Sequence, residues 1–216
     1  TAERVAVDRA ALGFSVIEVA RTDGRWSVVA GSPFARRISA ETPCAITGPA
    51  RGHARMKTPA DPAGEIVIGT FENCAGGVTP WGTFLSCEEN IQNRFAGAPA
   101  KLPPEHAREA ASAESLALRT NAICALFDTR SDVNLTPHEF NRFGWVVEID
   151  PYDPAAMPKK RTALGRFRHE AATIVAKPGK PVVCYMGDDQ NYQFVYKFVS
   201  ARSYAEGDPA ANADIL

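Results

Sequence analysis

The chain has 216 residues, of which 45% are apolar and 23% charged, which suits a globular domain with a real core and excludes a mini-protein or a wholly disordered chain. Lys plus Arg number 24 against 25 Asp plus Glu, a net charge of −1, so no basic field is present to hold a phosphate polymer or an anionic membrane. No apolar run approaches the roughly 20 residues that cross a bilayer, and Cys44, Cys74, Cys87, Cys124 and Cys184 form no C-x-x-C pair, which excludes a zinc knuckle and a disulfide framework.

Sixteen Gly and sixteen Pro residues punctuate short apolar stretches, a pattern of short strands joined by turns. In chain order the expected strands cover 13–20, 26–30, 65–71 and 83–87; after an Ala-rich helical insertion over 103–119 come 144–150, 162–169, 182–186 and 192–199. The last two form a hairpin through Gly187-Asp188-Asp189-Gln190-Asn191. Its second arm alternates Tyr192, Phe194, Tyr196 and Phe198 with Gln193, Val195, Lys197 and Val199, the period of two of a sheet. Residues 1–216 therefore read as a single all-β domain with an inserted helix, either a sandwich or part of a β-propeller. The ending on Ile215-Leu216 reads as a piece of a longer chain.

The densest chemistry lies between Gly69 and Asn90, with a thiol at Cys74, a Gly76-Gly77 pair that allows close backbone approach, and the carboxylates Glu88 and Glu89. A lone cysteine is usually a small buried hydrophobe, which is the reading for Cys44, Cys87, Cys124 and Cys184. Cys74, among Asn73, Ala75, Gly76 and Gly77, sits in poor core surroundings and in good surroundings for a thiolate ligand. If 65–71 and 83–87 pair antiparallel, Cys74 and the Glu88-Glu89 pair lie at opposite ends. Glu88 and Glu89 point to opposite faces of a strand, and one of them beside Asn90 suits calcium. Asp188-Asp189 offers the same oxygens, or serves only as turn residues. In Gly165-Arg166-Phe167-Arg168-His169-Glu170-Ala171, the arginines and Glu170 form either a surface ion pair or a metal ligand beside an anion-holding guanidinium. His53, His106 and His138 lack ligand spacing and read as structural or exposed. No P-loop, G-x-S-x-G, H-E-x-x-H or EF-hand loop occurs, which removes the standard nucleotide, hydrolase and zinc-protease readings.

The block Asn73-Cys74-Ala75-Gly76-Gly77-Val78-Thr79-Pro80-Trp81-Gly82-Thr83, continuing to Cys87-Glu88-Glu89-Asn90, resembles the signature of PhoX-type alkaline phosphatases. Two further blocks agree in order, from Phe143-Gly144-Trp145 through His169-Glu170 and from Tyr185-Met186-Gly187-Asp188-Asp189 through Tyr196-Lys197-Phe198. The similarity spans most of 42–216. The resemblance implies a β-propeller whose central channel holds Fe3+ and Ca2+ ions that bind and hydrolyse small-molecule phosphate esters, in the periplasm or outside the cell. It implies Cys74 as an iron-ligating thiolate and Glu170 as a carboxylate iron ligand, with Glu88, Glu89 and Asp188 as acidic groups near calcium. It also implies further site residues, in an earlier Asn-His-Glu and a later Arg-Pro-Glu-Asp stretch that this sequence lacks, so the chain alone is expected to be inactive. Nucleic acid polymers and membranes are not expected partners, and a monomer is expected. The competing expectation is a noncatalytic calcium-binding β-propeller used for structure or partner recognition.

Overall fold

The computed structural model describes residues 1–118 and 123–216. In chain order its elements are α1 (Ala2–Ala11), β1 (Phe14–Val16), β2 (Val19–Thr22), β3 (Arg25–Val28), β4 (Arg36–Ile38), β5 (Pro43–Thr47), β6 (Ile66–Ile68), β7 (Asn73–Val78) and β8 (Phe84–Glu88). There follow α2 (Ala107–Ser115), β9 (Val146–Ile149), β10 (Lys159–Arg161), β11 (His169–Val175), β12 (Pro181–Asp188), β13 (Val195–Ser203) and α3 (Pro209–Asn212), with short 3-10 turns between many of them. Thr1 opens α1 as its cap, accepting from the Arg4 amide. α2 occupies part of the expected insertion; Arg119, the last residue of that expectation, lies outside the described residues.

Six strands form one sheet in the order β6-β5-β10-β9-β8-β7. Within it β5 and β10 run parallel, Ala45 opposite Lys159, while the other neighbours are antiparallel. Strands β11, β12 and β13 form an antiparallel sheet of three, and β1-β4 and β2-β3 are small separate pairs. This overturns the expected all-β propeller. The described residues build mixed sheets with some helices, not a radial series of antiparallel four-stranded blades. Gly and Pro punctuation reports where strands stop, whereas the β5-β10 pairing joins segments more than a hundred residues apart, which no local pattern carries. The noncatalytic alternative loses its propeller for the same reason.

The β12-β13 hairpin is present, Met186 opposite Tyr196; β12 extends past the expected strand at both ends, whereas β13 starts at Val195 instead of Tyr192 and runs on to Ser203. The expected strand over 162–169 is instead a 3-10 turn, Thr162–Leu164, and a bend, with β11 starting only at His169. β7 was not expected because Asn-Cys-Ala-Gly-Gly-Val has weak strand preference; its pairing with β8 creates it.

One buried cluster, including Cys44, Ile46, Val67, Phe71, Phe95, Phe140 and Phe143, lies against the β5-β6 part of the large sheet. Phe71 and Phe143 stack with ring centroids 4.1 Å apart. A second cluster joins Trp81, Leu85, Cys87 and Val146 to Ala172, Val182, Cys184 and Met186, packing the large sheet on the small one. Cys44, Cys87 and Cys184 are core residues as expected, while Cys124 is half-buried on a 3-10 turn. Consecutive residues of β10 point to opposite faces, so Lys160 reaches buried Glu88 at 2.8 Å and Arg161 reaches buried Glu148 at 2.6 Å. Two core carboxylates are thus neutralised from one strand.

Candidate metal centre

The turn between β7 and β8 lies at 79–83, where the Thr79 amide donates to the Thr83 carbonyl at 2.9 Å. The register then sets Asn73 opposite Glu88. Cys74 and the Glu88-Glu89 pair therefore lie at the same end of the hairpin, the reverse of the sequence expectation, because the strand that pairs begins at Asn73 and does not end at Phe71. Gly76 and Gly77 sit within β7 and not in a turn. A Cβ on Gly76 would lie 1.7 Å from the Leu85 carbonyl oxygen, and one on Gly77 would lie 2.0 Å from that of Ala172. Only glycine lets β7 approach both β8 and β11 this closely, and the approach brings Glu170 of β11 to Cys74. Just before, Glu72 holds a left-handed φ of 51°, a strained position for a residue with a Cβ. It is held by the Glu89 amide on its carbonyl at 3.1 Å and by Arg94 on its carboxylate.

The resulting cluster joins a thiol to several acids. Cys74 is exposed, and partial desolvation, then contact with Glu89, then the charges of Glu89 and Glu170 push its thiol up. Glu89 is only 8% exposed; burial above all, and then Asp189, raise its carboxyl, against the opposing effect of Cys74 and Asn90. Asp188 is raised as well, by burial first and by Asp189, with Arg168 among the groups that oppose. Asp188 stands opposite His169 in the β11-β12 register, and the Asp189 amide donates to the Arg168 carbonyl at 3.1 Å. The hairpin tip is thereby locked to the Arg168-His169-Glu170 segment. Of the sequence candidates, the fold brings Cys74, Glu89, Glu170 and Asp188 to one region. Asp189 joins them, although the sequence reading carried over only its neighbour; the Asp-Asp dipeptide at the end of β12 is the signal for it.

Glu88 goes elsewhere. Its Oε1 accepts from Lys160 Nζ at 2.8 Å, Thr70 Oγ1 at 2.9 Å and the Phe71 amide at 3.2 Å, while Oε2 accepts from the Gly144 and Trp145 amides at 2.9 and 3.1 Å. It is fully buried on the side of the strand away from Glu89 and anchors the core.

Beside Glu89 and Asp188 opens a cleft of about 170 Å³, walled by Arg166, Phe167, Arg168, Gln190 and Gln193 and, from α2, by Ser112 and Ser115. Arg166 is committed to structure. It donates to the Phe143 carbonyl at 2.7 Å, Ser112 Oγ at 2.9 Å and the Phe140 carbonyl at 2.8 Å, and lies over the Phe140 ring. Burial, assisted by Arg55, lowers its pKa to about 10. Arg168 differs, since its Nε is buried without a hydrogen-bond partner among the described residues. His169 is fully buried, stacks on Phe167 at 3.6 Å and donates from Nε2 to the Gly165 carbonyl at 2.9 Å. Burial lowers its pKa to about 4, so it stays neutral and holds the backbone from which Glu170 projects.

The family model described as alkaline phosphatase PhoX matches residues 1–216, which extends the similarity over the first 41 residues as well. A solved structure, Pseudomonas fluorescens PhoX in complex with vanadate, a transition state analogue, is 47% identical with a TM-score of 0.87, covering 100% of this chain and 37% of that one. The chain thus spans little more than a third of the length of the relative it matches. The comparison with curated proteins gave no match.

Proposed function

Because the chain belongs to the alkaline phosphatase PhoX family, we propose that it builds part of a metal-dependent centre that hydrolyses phosphate esters. Cys74, Glu89 and Glu170 would hold iron, whose affinity for a thiolate exceeds that of calcium, and Asp188 and Asp189 would serve calcium through oxygen alone. The donor set fits these ions. Burial above all raises the carboxyls of both Glu89 and Asp188, and a bound cation would favour their charged form. Glu88, already saturated by five donors, is left out of the ligand set. When bound, such ions stabilise charge on phosphoryl oxygens.

The residues of this chain then have separate tasks. Arg168 lines the cleft beside the acidic cluster, where a guanidinium suits a phosphoryl oxygen. Arg166 and neutral His169 hold the cleft wall and the Glu170 backbone in position. The observation that carries the reading is the nearness of Cys74 to Glu89 and Glu170, with Glu89 also lining a cleft together with Asp188 and Arg168. The relative solved with vanadate, a transition state analogue, supports phosphoryl chemistry. On the same family ground we place the protein in the periplasm or outside the cell; no helix among the described residues is long and apolar enough to cross a membrane.

The test, made in the full-length protein, compares Cys74→Ala with Cys87→Ala, a buried cysteine of the core. Cys74→Ala should lose iron, visible absorbance and turnover of p-nitrophenyl phosphate at alkaline pH together, whereas Cys87→Ala keeps all three. Excess EGTA should abolish turnover of the parent. Equal iron and turnover in Cys74→Ala and the parent would remove Cys74 from the centre, and turnover indifferent to EGTA would remove calcium.

A further inference from the structure

We propose that His106, Glu109 and His138 form a second metal site, independent of the Cys74 cluster, for a divalent transition ion of the zinc class. One donor atom from each lies within 4.8 Å of the other two, and none of the three lines the cleft beside Glu89. His106 ends the 3-10 turn Pro104–His106 and stands at the N-cap of α2, Glu109 is on the first turn of α2, and His138 directly precedes the 3-10 turn Glu139–Arg142. Spacing hides the group from the sequence, because His138 comes from a distant segment.

Each donor is prepared by its surroundings. His138 Nδ1 lies 3.0 Å from the Lys57 carbonyl oxygen, which can only accept. Nδ1 therefore carries the proton and Nε2 keeps a lone pair, the tautomer that outer-sphere carbonyls impose on metal-binding histidines. His106 Nδ1 is buried and has no hydrogen-bond partner among the described residues. It lies 3.7 Å from Glu109 Oε2, too far for a hydrogen bond. Two ligands of a tetrahedral ion at about 2.0–2.1 Å sit about 3.3 Å apart, so small side-chain rotations close the site. Glu109 is buried, and its other oxygen, Oε1, accepts from Arg55 Nε at 2.5 Å and Asn141 Nδ2 at 2.9 Å. Although burial opposes them, these two bonds hold its carboxyl below the usual range. They fix the carboxylate and leave Oε2 facing His106.

The donor chemistry selects the ion. Two neutral imidazoles and one carboxylate suit zinc and its borderline neighbours, whereas calcium needs six to eight oxygens. The Arg55 charge on the same carboxylate further disfavours an ion bound through carboxylate charge alone. A bound ion ties α2 to the segment before Glu139, and α2 supplies Ser112 and Ser115 to the cleft wall. The site is therefore a brace for that wall.

The experiment uses untagged protein stripped by chelator and titrated with Co2+, an optical stand-in for Zn2+. Cys74→Ala, which lacks the thiolate that would also take cobalt at the other centre, is the parent for this titration and should take up one ion with the visible bands of four-coordinate cobalt and no thiolate charge-transfer band, and Zn2+ should displace it. His138→Asn, whose amide can still donate to the Lys57 carbonyl, should bind that ion at least tenfold more weakly, as should His106→Gln. X-ray absorption on Cys74→Ala loaded with one equivalent of Zn2+ needs no change at the site, and should show outer-shell scattering from two imidazoles and no sulfur. The same cobalt uptake in His138→Asn, His106→Gln and the parent, or a zinc shell without imidazole, would overturn the proposal.

Discussion

Replacing Glu88 by glutamine removes the anion from a pair with no solvent on either side, since Lys160 Nζ lies 2.8 Å from Glu88 Oε1 and both side chains are 0% exposed. What remains in contact with Lys160 is the Arg142 carbonyl at 3.0 Å and the face of the Phe143 ring at 3.8 Å, with the Glu139 charge acting on it only from beyond ion-pair distance. Breaking one side of a buried pair costs about 3–5 kcal/mol. Glutamine keeps the shape and one acceptor oxygen, which puts the expectation near about 3 kcal/mol. For a chain of this size that lowers Tm by about 6–12 °C. One residue on, Glu89→Gln should do the opposite. There burial and Asp189 already disfavour the charged carboxyl, so the amide strands no charge, and metal-stripped protein should change by less than about 1 kcal/mol or gain stability. Urea unfolding of chelator-treated protein, paired with iron per folded molecule after reloading, separates the two. Glu88→Gln should lose stability and keep iron, and Glu89→Gln should lose iron and keep stability. If Glu88→Gln stays within about 1 kcal/mol of the parent, the assignment of these neighbours to core and site is wrong.

Gly77→Ala would set a Cβ 2.0 Å from the Ala172 carbonyl oxygen, forcing β7 from β11 at a cost of about 1–3 kcal/mol; because a displacement of about an ångström at a reacting centre can cost about 10²-fold in rate, turnover should fall on that scale. Gly187, whose added Cβ meets nothing within 4 Å, is the stability control, and equal tolerance of Ala at both positions would refute the close-approach argument. Asp61 accepts from the Gly64, Glu65 and Ile66 amides at 3.1, 2.8 and 2.9 Å and pairs with Arg142 at 3.2 Å. Burial raises its carboxyl, yet these partners together hold it below the usual range, so its contribution is present above the ordinary aspartate pKa of about 3.9 and is lost as pH falls below it. Asp61→Asn should therefore cost about 1.5–3 kcal/mol at neutral pH, and unfolding curves taken between neutral pH and pH ~3 should show that gap closing; a constant gap contradicts the charge argument. Arg168→Met keeps the stem and removes the guanidinium from the cleft wall, and in the full-length protein should raise KM for a phosphate ester about tenfold or more, the worth of one charged hydrogen bond, at unchanged iron content. An unaltered KM would take Arg168 out of substrate binding.

The features legible in the residues alone were local or chemical in kind. Period-two alternation places the hairpin of β12 and β13 because facing is a property of one strand read alone. The motif blocks around Cys74, Glu170 and Asp188 resemble the PhoX signature because short runs of residue types can be matched without knowing the fold, and the family model over residues 1–216 agrees with them. The same alternation says that Glu88 and Glu89 face opposite ways, but not which of them faces the core. Lys160 decided that, from 72 residues away, by supplying the cation that lets Glu88 stay charged without water. β7 became a strand, and Cys74 came to the same end as Glu89, only through pairing with β8 and contact with β11 across two glycines. The mixed sheet, the grouping of His106 with His138 and the acidic cluster all depend on contacts between distant segments. Loop closure and packing select those contacts jointly over the whole chain, so no window of neighbouring residues contains the information.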